Sequence, residues 1–237
     1  MSVAKTVKRI ANTIPTWGVW WERFETAKKI VKPAELTLDL GCSEYGGMEK
    51  FLTREGGKVI GADLKKNIDR NLLNEKFFYV VADAQYLPFK NSSFPQTLCL
   101  DMIEHISNDI KAAEEIERIS KSGANIVLST PSEQWRFPYF GFMRLFCKPE
   151  EQILKEFGHK KKGYSEEQLK ELFSGCNISE KKYFVSGLSA LGYDIEFSRL
   201  RILENLILKV LFPALWINFK LLNHKNGTHI AVRMRKN

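Results

Sequence analysis

The chain has 237 residues, 44% of them hydrophobic and 27% charged, a balance that excludes wholesale disorder and suits one α/β domain with additions. Its net charge of +8 would favour an anionic partner only if it were gathered on one face. The basic residues are instead spread along the chain, densest at His159, Lys160, Lys161 and Lys162, so a solvated basic surface is expected and DNA is not expected as a partner.

In chain order, the N-terminal residues lack the continuous apolar core of a secretory leader. Residues 1–32, with Trp17, Trp20, Trp21 and Phe24 among basic side chains, read as a helical extension ahead of the first strand. Residues 33–237 follow as the main domain. Short β-rich runs occur at Leu36 to Leu40, Lys58 to Ala62, Phe77 to Ala82, Gln96 to Asp101 and Asn125 to Thr130. Helical periodicity fills Met48 to Arg54 and Asn108 to Ser120, so strands alternate with helices and predict βαβ units in a parallel sheet. Ser165 with Gln168 forms a capping-box pattern opening a helix to Phe173, which Gly175 is expected to close. Ser179 to Val185 and Thr228 to Met234 complete seven strands as a hairpin-like end to the sheet. The predicted fold class is therefore α/β, a Rossmann-like, mostly parallel sheet with helices on both faces. Insertions interrupt it at 132–158, rich in aromatics, and at 187–226, where the apolar stretch from Leu200 to Leu222 contains Lys209, Pro213 and Lys220.

Four cysteines, Cys42, Cys99, Cys147 and Cys176, lack C-x-x-C spacing. Neither a zinc site nor a disulfide framework is expected, and a reducing cytoplasm fits. No run approaches the ~18 uncharged apolar residues of a membrane span.

The most informative passage runs from Leu36 to Leu64: strand, glycine-bearing turn, helix, strand, acid. Asp63 ends the second strand, where a carboxylate can accept hydrogen bonds from both hydroxyls of a ribose, with Leu64 beside it. A nucleoside ligand is implied. The turn reads Gly41, Cys42, Ser43, Glu44, Tyr45, Gly46, Gly47 rather than G-x-G-x-x-G, and Glu44 would repel a pyrophosphate. That pattern favours S-adenosylmethionine over a dinucleotide.

These residues resemble the class I S-adenosylmethionine-dependent methyltransferases, in particular the branch acting on small molecules and quinone precursors. Asp39, Leu40, Gly41 and Cys42 match the family's turn; Ser43 replaces its second glycine, and Gly46 or Gly47 supplies the third if one residue is inserted. The passage Val80 to Asp109 looks like the family's third and fourth strands, Ile126 to Ser132 like its fifth, and Gly158 to Ile178 like the segment before its sixth. The resemblance implies that Asp83 receives the adenine amino group, that Ala84 offers its backbone N–H to the ring and that Asp101 lies near the methionine moiety. Locally, Asp39 could equally tie down the loop, Cys42 serve as a packing residue and Asp83 form an Asx-turn.

Methyl transfer from a sulfonium requires alignment and exclusion of water more than a strong acid, though a hydroxyl acceptor is helped by a neutral base. His105, just beyond the fourth strand, and His159 are the candidates, each equally readable as a structural histidine. The expected partner is a small, partly apolar acceptor, since the aromatic and aliphatic insertions suggest an apolar pocket or lid. It would be lipid-like if those insertions instead rest on a membrane surface. The alternatives are a non-catalytic S-adenosylmethionine-binding subunit and an RNA methyltransferase. The latter is supported by net charge alone.

Overall fold

The computed structural model describes residues 21–43, 48–54, 56–66, 68–199, 201–221, 225 and 227–237, and for 201–209 and 212 the backbone only. The expected Gly46, Trp17 and Trp20 lie outside the described residues. Seven strands form one sheet: β1 (Leu36–Leu40), β2 (Lys58–Asp63), β3 (Phe77–Val81), β4 (Phe94–Leu100), β5 (Ser120–Pro131), β6 (Cys176–Phe184) and β7 (His229–Lys236). They are arranged in the order β3-β2-β1-β4-β5-β7-β6. The first five run parallel, and β7 is antiparallel to both β5 and β6.

Helices cover both faces, which is why the central strands are nearly continuous apolar runs. Alternate residues of β5 go to opposite sides. Ile126 and Leu128 join Leu38, Leu40, Val232 and the inward stripe of α3 (Asp109–Ile119), namely Ala112, Ala113, Ile116 and Ile119. On the other side Val127 meets Val59, Leu98 and Ala231 beneath α1 (Trp21–Ile30) and α2 (Glu49–Arg54). Side chains at three- and four-residue spacing put that α3 stripe on one face, and Asn108 starts the helix by accepting the Lys111 amide at 3.0 Å. The outer strand β6 alternates half-buried with exposed positions and carries Glu180, Lys181 and Lys182, charges that discourage edge pairing.

Several boundaries differ from the sequence expectation, three of them in ways that bear on packing. β5 begins at Ser120, directly after α3, where it pairs with Phe94 of β4, and β6 begins at Cys176, opposite Lys236 of β7, so pairing extends both strands beyond their apolar cores. The capping box at Ser165 opens α5 (Glu166–Leu172), but Phe173, not Gly175, is its C-cap. Gly175 serves close packing instead: a Cβ there would lie 2.5 Å from the Glu117 carboxylate. Past β6 the chain forms α6 (Leu188–Glu196) and α7 (Arg201–Leu221), which continues through Pro213 although that residue lacks a backbone donor. No described helix is long and apolar enough to cross a membrane.

The aromatic insertion packs as a satellite core of Trp135, Phe137, Met143, Cys147 and Ile153 against Ile195 of α6. It is pinned there by Asp194, whose carboxylate accepts the Tyr139 amide at 2.8 Å and the Phe140 amide at 2.9 Å. The insertion contains α4 (Glu150–Phe157), closed by Gly158 in the left-handed conformation at φ 72°. The following loop is tied back to the segment just past β4, where the Glu104 carbonyl accepts the amides of Lys160 at 2.8 Å and Lys161 at 3.2 Å. Two lysines of the densest basic cluster are consumed in ion pairs, Lys161 with Asp109 and Lys162 with Glu150, so the cluster is no free anion-binding patch.

Candidate active site

The strand order reverses between β1 and β4, and in open α/β sheets ligands bind beyond the carboxyl ends of strands at such a point. A cleft of about 700 Å³, open to solvent, lies there. Gly41, Asp63, Leu64, Asp83 and Ala84 all line it, with Met102 and His105 opposite. Five of the residues expected from sequence to hold a cofactor thus converge.

Gly41 adopts φ +73°, and a Cβ on it would lie 2.6 Å from Met102 Cγ, so the turn needs glycine both for its conformation and for close approach of the next loop. Asp63 accepts the Ser43 amide at 2.9 Å and the Lys65 amide at 3.0 Å, one on each oxygen. A carboxylate has about four acceptor sites, so each oxygen retains one lone pair for a hydroxyl. Asp83 builds an Asx-turn by accepting the Gln85 amide at 2.9 Å while also lining the cleft, which joins two roles that are alternatives in the sequence. Leu64 is 68% exposed in the cleft wall, an apolar face that a planar ring would cover.

Three other expected residues stand elsewhere. Asp39 is buried behind the turn, accepts the Met48 amide at 3.2 Å and does not line the cleft; loss of solvation raises its carboxyl to about 7. It ties the loop down. The Cys42 side chain points into the core, where a Cβ on Gly61 would come within 2.7 Å of its Sγ, and burial pushes its thiol above the usual range. Asp101 has φ +47°, accepts the Ser129 hydroxyl at 2.6 Å and pairs with Arg23 of α1 at 3.2 Å. It faces a second cavity.

That second cavity, which opens to solvent, is lined by Trp135, Phe137, Tyr139 and Tyr193 with a polar end of Asp101, Glu104, His105, His159 and His229. His105 lines both spaces, so they meet at its ring. The His105 and His159 rings pack edge to face with centroids 4.5 Å apart. Burial lowers the pKa of all three histidines, that of His159 and of His229 to about 4, which keeps the imidazoles neutral. Glu104 is 1% exposed, and burial raises its carboxyl well above the usual carboxylate range. Sequence reading missed Glu104, Tyr139, Tyr193 and His229. Of these, Glu104 alone carried a local signal, its adjacency to His105.

Residues 38–128 match the family model described as a methyltransferase domain. The chain is 25% identical over 131 residues to the ubiquinone/menaquinone biosynthesis C-methyltransferase UbiE of Coxiella burnetii, covering 50% of this chain and 52% of that protein. It is 30% identical over 100 residues to the sterol 4-C-methyltransferase strm-1 of Caenorhabditis elegans, covering 38% of this chain and 29% of the other. The chain therefore spans about half the length, or less, of these curated relatives. The crystal structure of an S-adenosylmethionine-dependent methyltransferase from Mesorhizobium loti superposes with a TM-score of 0.62 at 14% identity, covering 91% of this chain and 98% of that one, and shares the fold. With the switch-point cleft, the ribose-type acid of β2 and the match of residues 38–128 to a methyltransferase domain taken together, the chain is similar to the class I S-adenosylmethionine-dependent methyltransferases and shares their fold.

Proposed function

We propose that this protein transfers a methyl group from S-adenosylmethionine to a small, partly apolar acceptor held in the aromatic cavity. The observation that carries this reading is the meeting of the two spaces at His105: one has the carboxylates and turn suited to a nucleoside, the other an apolar wall with a polar end. When bound, S-adenosylmethionine supplies an electrophilic methyl on a sulfonium. Asp63 would accept the ribose hydroxyls, Asp83 and Ala84 would face the base, Leu64 would cover its ring, and Gly41 admits the backbone turn.

The chain's own contribution is largely alignment and exclusion of water. Trp135, Phe137, Tyr139 and Tyr193 surround the acceptor with apolar surface, and Asp194 holds the Tyr139 segment in place. His105, at the junction of the two spaces, is placed to accept a hydrogen bond or proton from a hydroxyl or other acidic acceptor, whereas His159, lowered to about 4 by burial, is too weak a base for proton transfer and would act by positioning. On this reading residues 33–237 form the catalytic domain, with the insertions at 132–158 and 187–226 building the acceptor side. The two curated relatives are named for C-methylation in ubiquinone/menaquinone biosynthesis and for 4-C-methylation of a sterol, which agrees with an apolar cavity.

Incubating the protein with methyl-labelled S-adenosylmethionine and a panel of phenols, quinols and sterols tests the proposal. Label transfer to one acceptor class supports it; tight binding of the cofactor with no transfer to any member supports the non-catalytic subunit instead.

A second element of the reading concerns how an apolar acceptor is reached. On α7, Val210, Trp216, Ile217 and Leu221 are 70%, 46%, 50% and 79% exposed, and the Lys220 ammonium lies over the Trp216 ring. Aromatic, aliphatic and basic side chains together suit the surface of an anionic bilayer. Co-sedimentation with anionic but not neutral vesicles, lost in Trp216→Ser with Leu221→Ser, supports this docking; equal recovery in the supernatant with and without vesicles rejects it.

A further inference from the structure

We propose that Glu104, His105 and His159 form a binding site for a divalent first-row transition-metal cation in the wall between the two clefts. The ligand atoms these side chains offer all lie within 4.8 Å of one another. Imidazole nitrogens sit ~2.1 Å from such an ion, which puts each ring centre ~3.2 Å from it; nitrogen–ion–nitrogen angles of roughly 90–110° then space the ring centres ~4.5–5.2 Å apart. The observed 4.5 Å falls within that span, and the 80° between ring planes keeps the rings from clashing.

Two further observations point to a ligand. His159 Nδ1 is buried with no hydrogen-bond partner, which is costly for an imidazole nitrogen unless something coordinates it. The supporting structure is also in place. The Thr130 hydroxyl donates to Glu104 Oε2 at 3.1 Å, the kind of outer bond that orients a ligating carboxylate. The Lys160 and Lys161 amides bond the Glu104 carbonyl, so the loop bearing His159 is fixed to the residue beside His105. The two ligating segments need little rearrangement to close on an ion.

Two nitrogens and one carboxylate suit zinc, cobalt or iron(II) better than magnesium or calcium, which prefer oxygen alone. Three protein ligands leave a coordination position for an exogenous group. The cavity beyond is lined by Trp135, Phe137 and Tyr139, so that group would come from the occupant of the aromatic space. Resting on the methyltransferase reading, this narrows the acceptor to molecules with an oxygen donor, a hydroxyl or enol, which an ion would hold and acidify beside the cofactor cleft. Ion binding itself is independent of that reading.

The test is a titration of the chelator-treated full chain with cobalt(II) alone, followed by its visible ligand-field absorption, in parallel with calorimetry of S-adenosylhomocysteine. The expected result is a saturable band at one equivalent, displaced by zinc, with cobalt affinity weakened by at least ~100-fold in His159→Ala and in Glu104→Gln. S-adenosylhomocysteine affinity should stay within about twofold of the parent, since neither residue lines the nucleoside part of the cleft. Should Glu104→Gln fail to fold, His159→Ala, in a loop, carries the comparison. Absence of a saturable cobalt band in the parent, or an undiminished band in His159→Ala, overturns the proposal. A cobalt band lost in the variants alongside a parent that binds no S-adenosylhomocysteine leaves the metal site standing and removes the methyltransferase reading.

Discussion

Replacing Asp63 with alanine separates the cofactor role of this acid from its structural one. The carboxylate receives two backbone amides in the protein, from Ser43 and Lys65, and has capacity for two ribose hydroxyls. Lys65 sits where water can replace the lost acceptor, whereas the Ser43 bond is partly buried. The folding cost is therefore about 1 kcal/mol, a drop of roughly 2–4 °C in Tm for a domain of this size, and the variant stays folded. Binding loses two hydrogen bonds to an ionised acceptor, each worth about 1.5–3 kcal/mol. Taking the lower figure because the cleft is open to solvent gives about 3 kcal/mol, or roughly 150-fold in Kd. Isothermal calorimetry with S-adenosylhomocysteine measures this without turnover. Asp63→Asn, which keeps one acceptor oxygen but adds a donor, is expected between the two. A folded Asp63→Ala binding within about threefold of the parent would refute the assignment of this acid to the nucleoside.

Asp194→Ala strands the Tyr139 and Phe140 amides that its carboxylate accepts, at about 2–4 kcal/mol in stability, and loosens the acceptor wall. Acceptor KM should rise while S-adenosylhomocysteine affinity holds, and a proportional loss of both would count against the division into two spaces. Glu22, on the buried face of α1 with the Val185 amide and Ser189 hydroxyl bonded to it, has its carboxyl raised by desolvation from 4.5 to about 7. The folded state thus holds this proton more tightly than the unfolded chain, so the associated stability is present below about pH 4.5 and is lost as pH rises through about 7. Denaturant melts between pH 5 and 7 should show Glu22→Gln removing a slope of up to ~1.4 kcal/mol per pH unit, and parallel profiles for parent and variant would disprove the shift. Gly163→Ala places a Cβ 2.2 Å from the Pro131 carbonyl oxygen, a backbone atom that no rotamer change can move. A loss of about 3 kcal/mol or more in urea unfolding is expected, and a change below ~0.5 kcal/mol would contradict the close approach of the two segments.

Local patterns in the chain determined the order and kind of its elements. Alternating apolar runs marked seven strands within a few residues of their observed limits, the Ser165 and Gln168 pair marked a helix start that the structure reproduces, and the spacing of Gly41 and Asp63 put a turn and an acid at one edge of the sheet. Each of those signals resides in hydrophobic period, capping chemistry or backbone conformation, which act over a few neighbouring residues.

Orientation and convergence were decided only in three dimensions. Asp39, near the end of β1, and Cys42, beside Gly41 in the turn, are buried and stay out of the cleft, because side-chain direction is set by the strand pleat and by the packing of the turn, not by proximity in the chain. The antiparallel β7 brings His229 to the end of β5, and the loop after Gly158 brings His159 against His105, so the polar end of the aromatic cavity is assembled from distant segments. Glu104 acquires its significance from that assembly, since a carboxylate with 1% exposure among imidazoles has a chemistry its sequence neighbours cannot announce. The sequence by itself therefore determined a nucleoside-type α/β site, whereas packing of the two insertions across the sheet decided which groups an acceptor meets: desolvation and proximity are properties of segments folded together, not of any one of them.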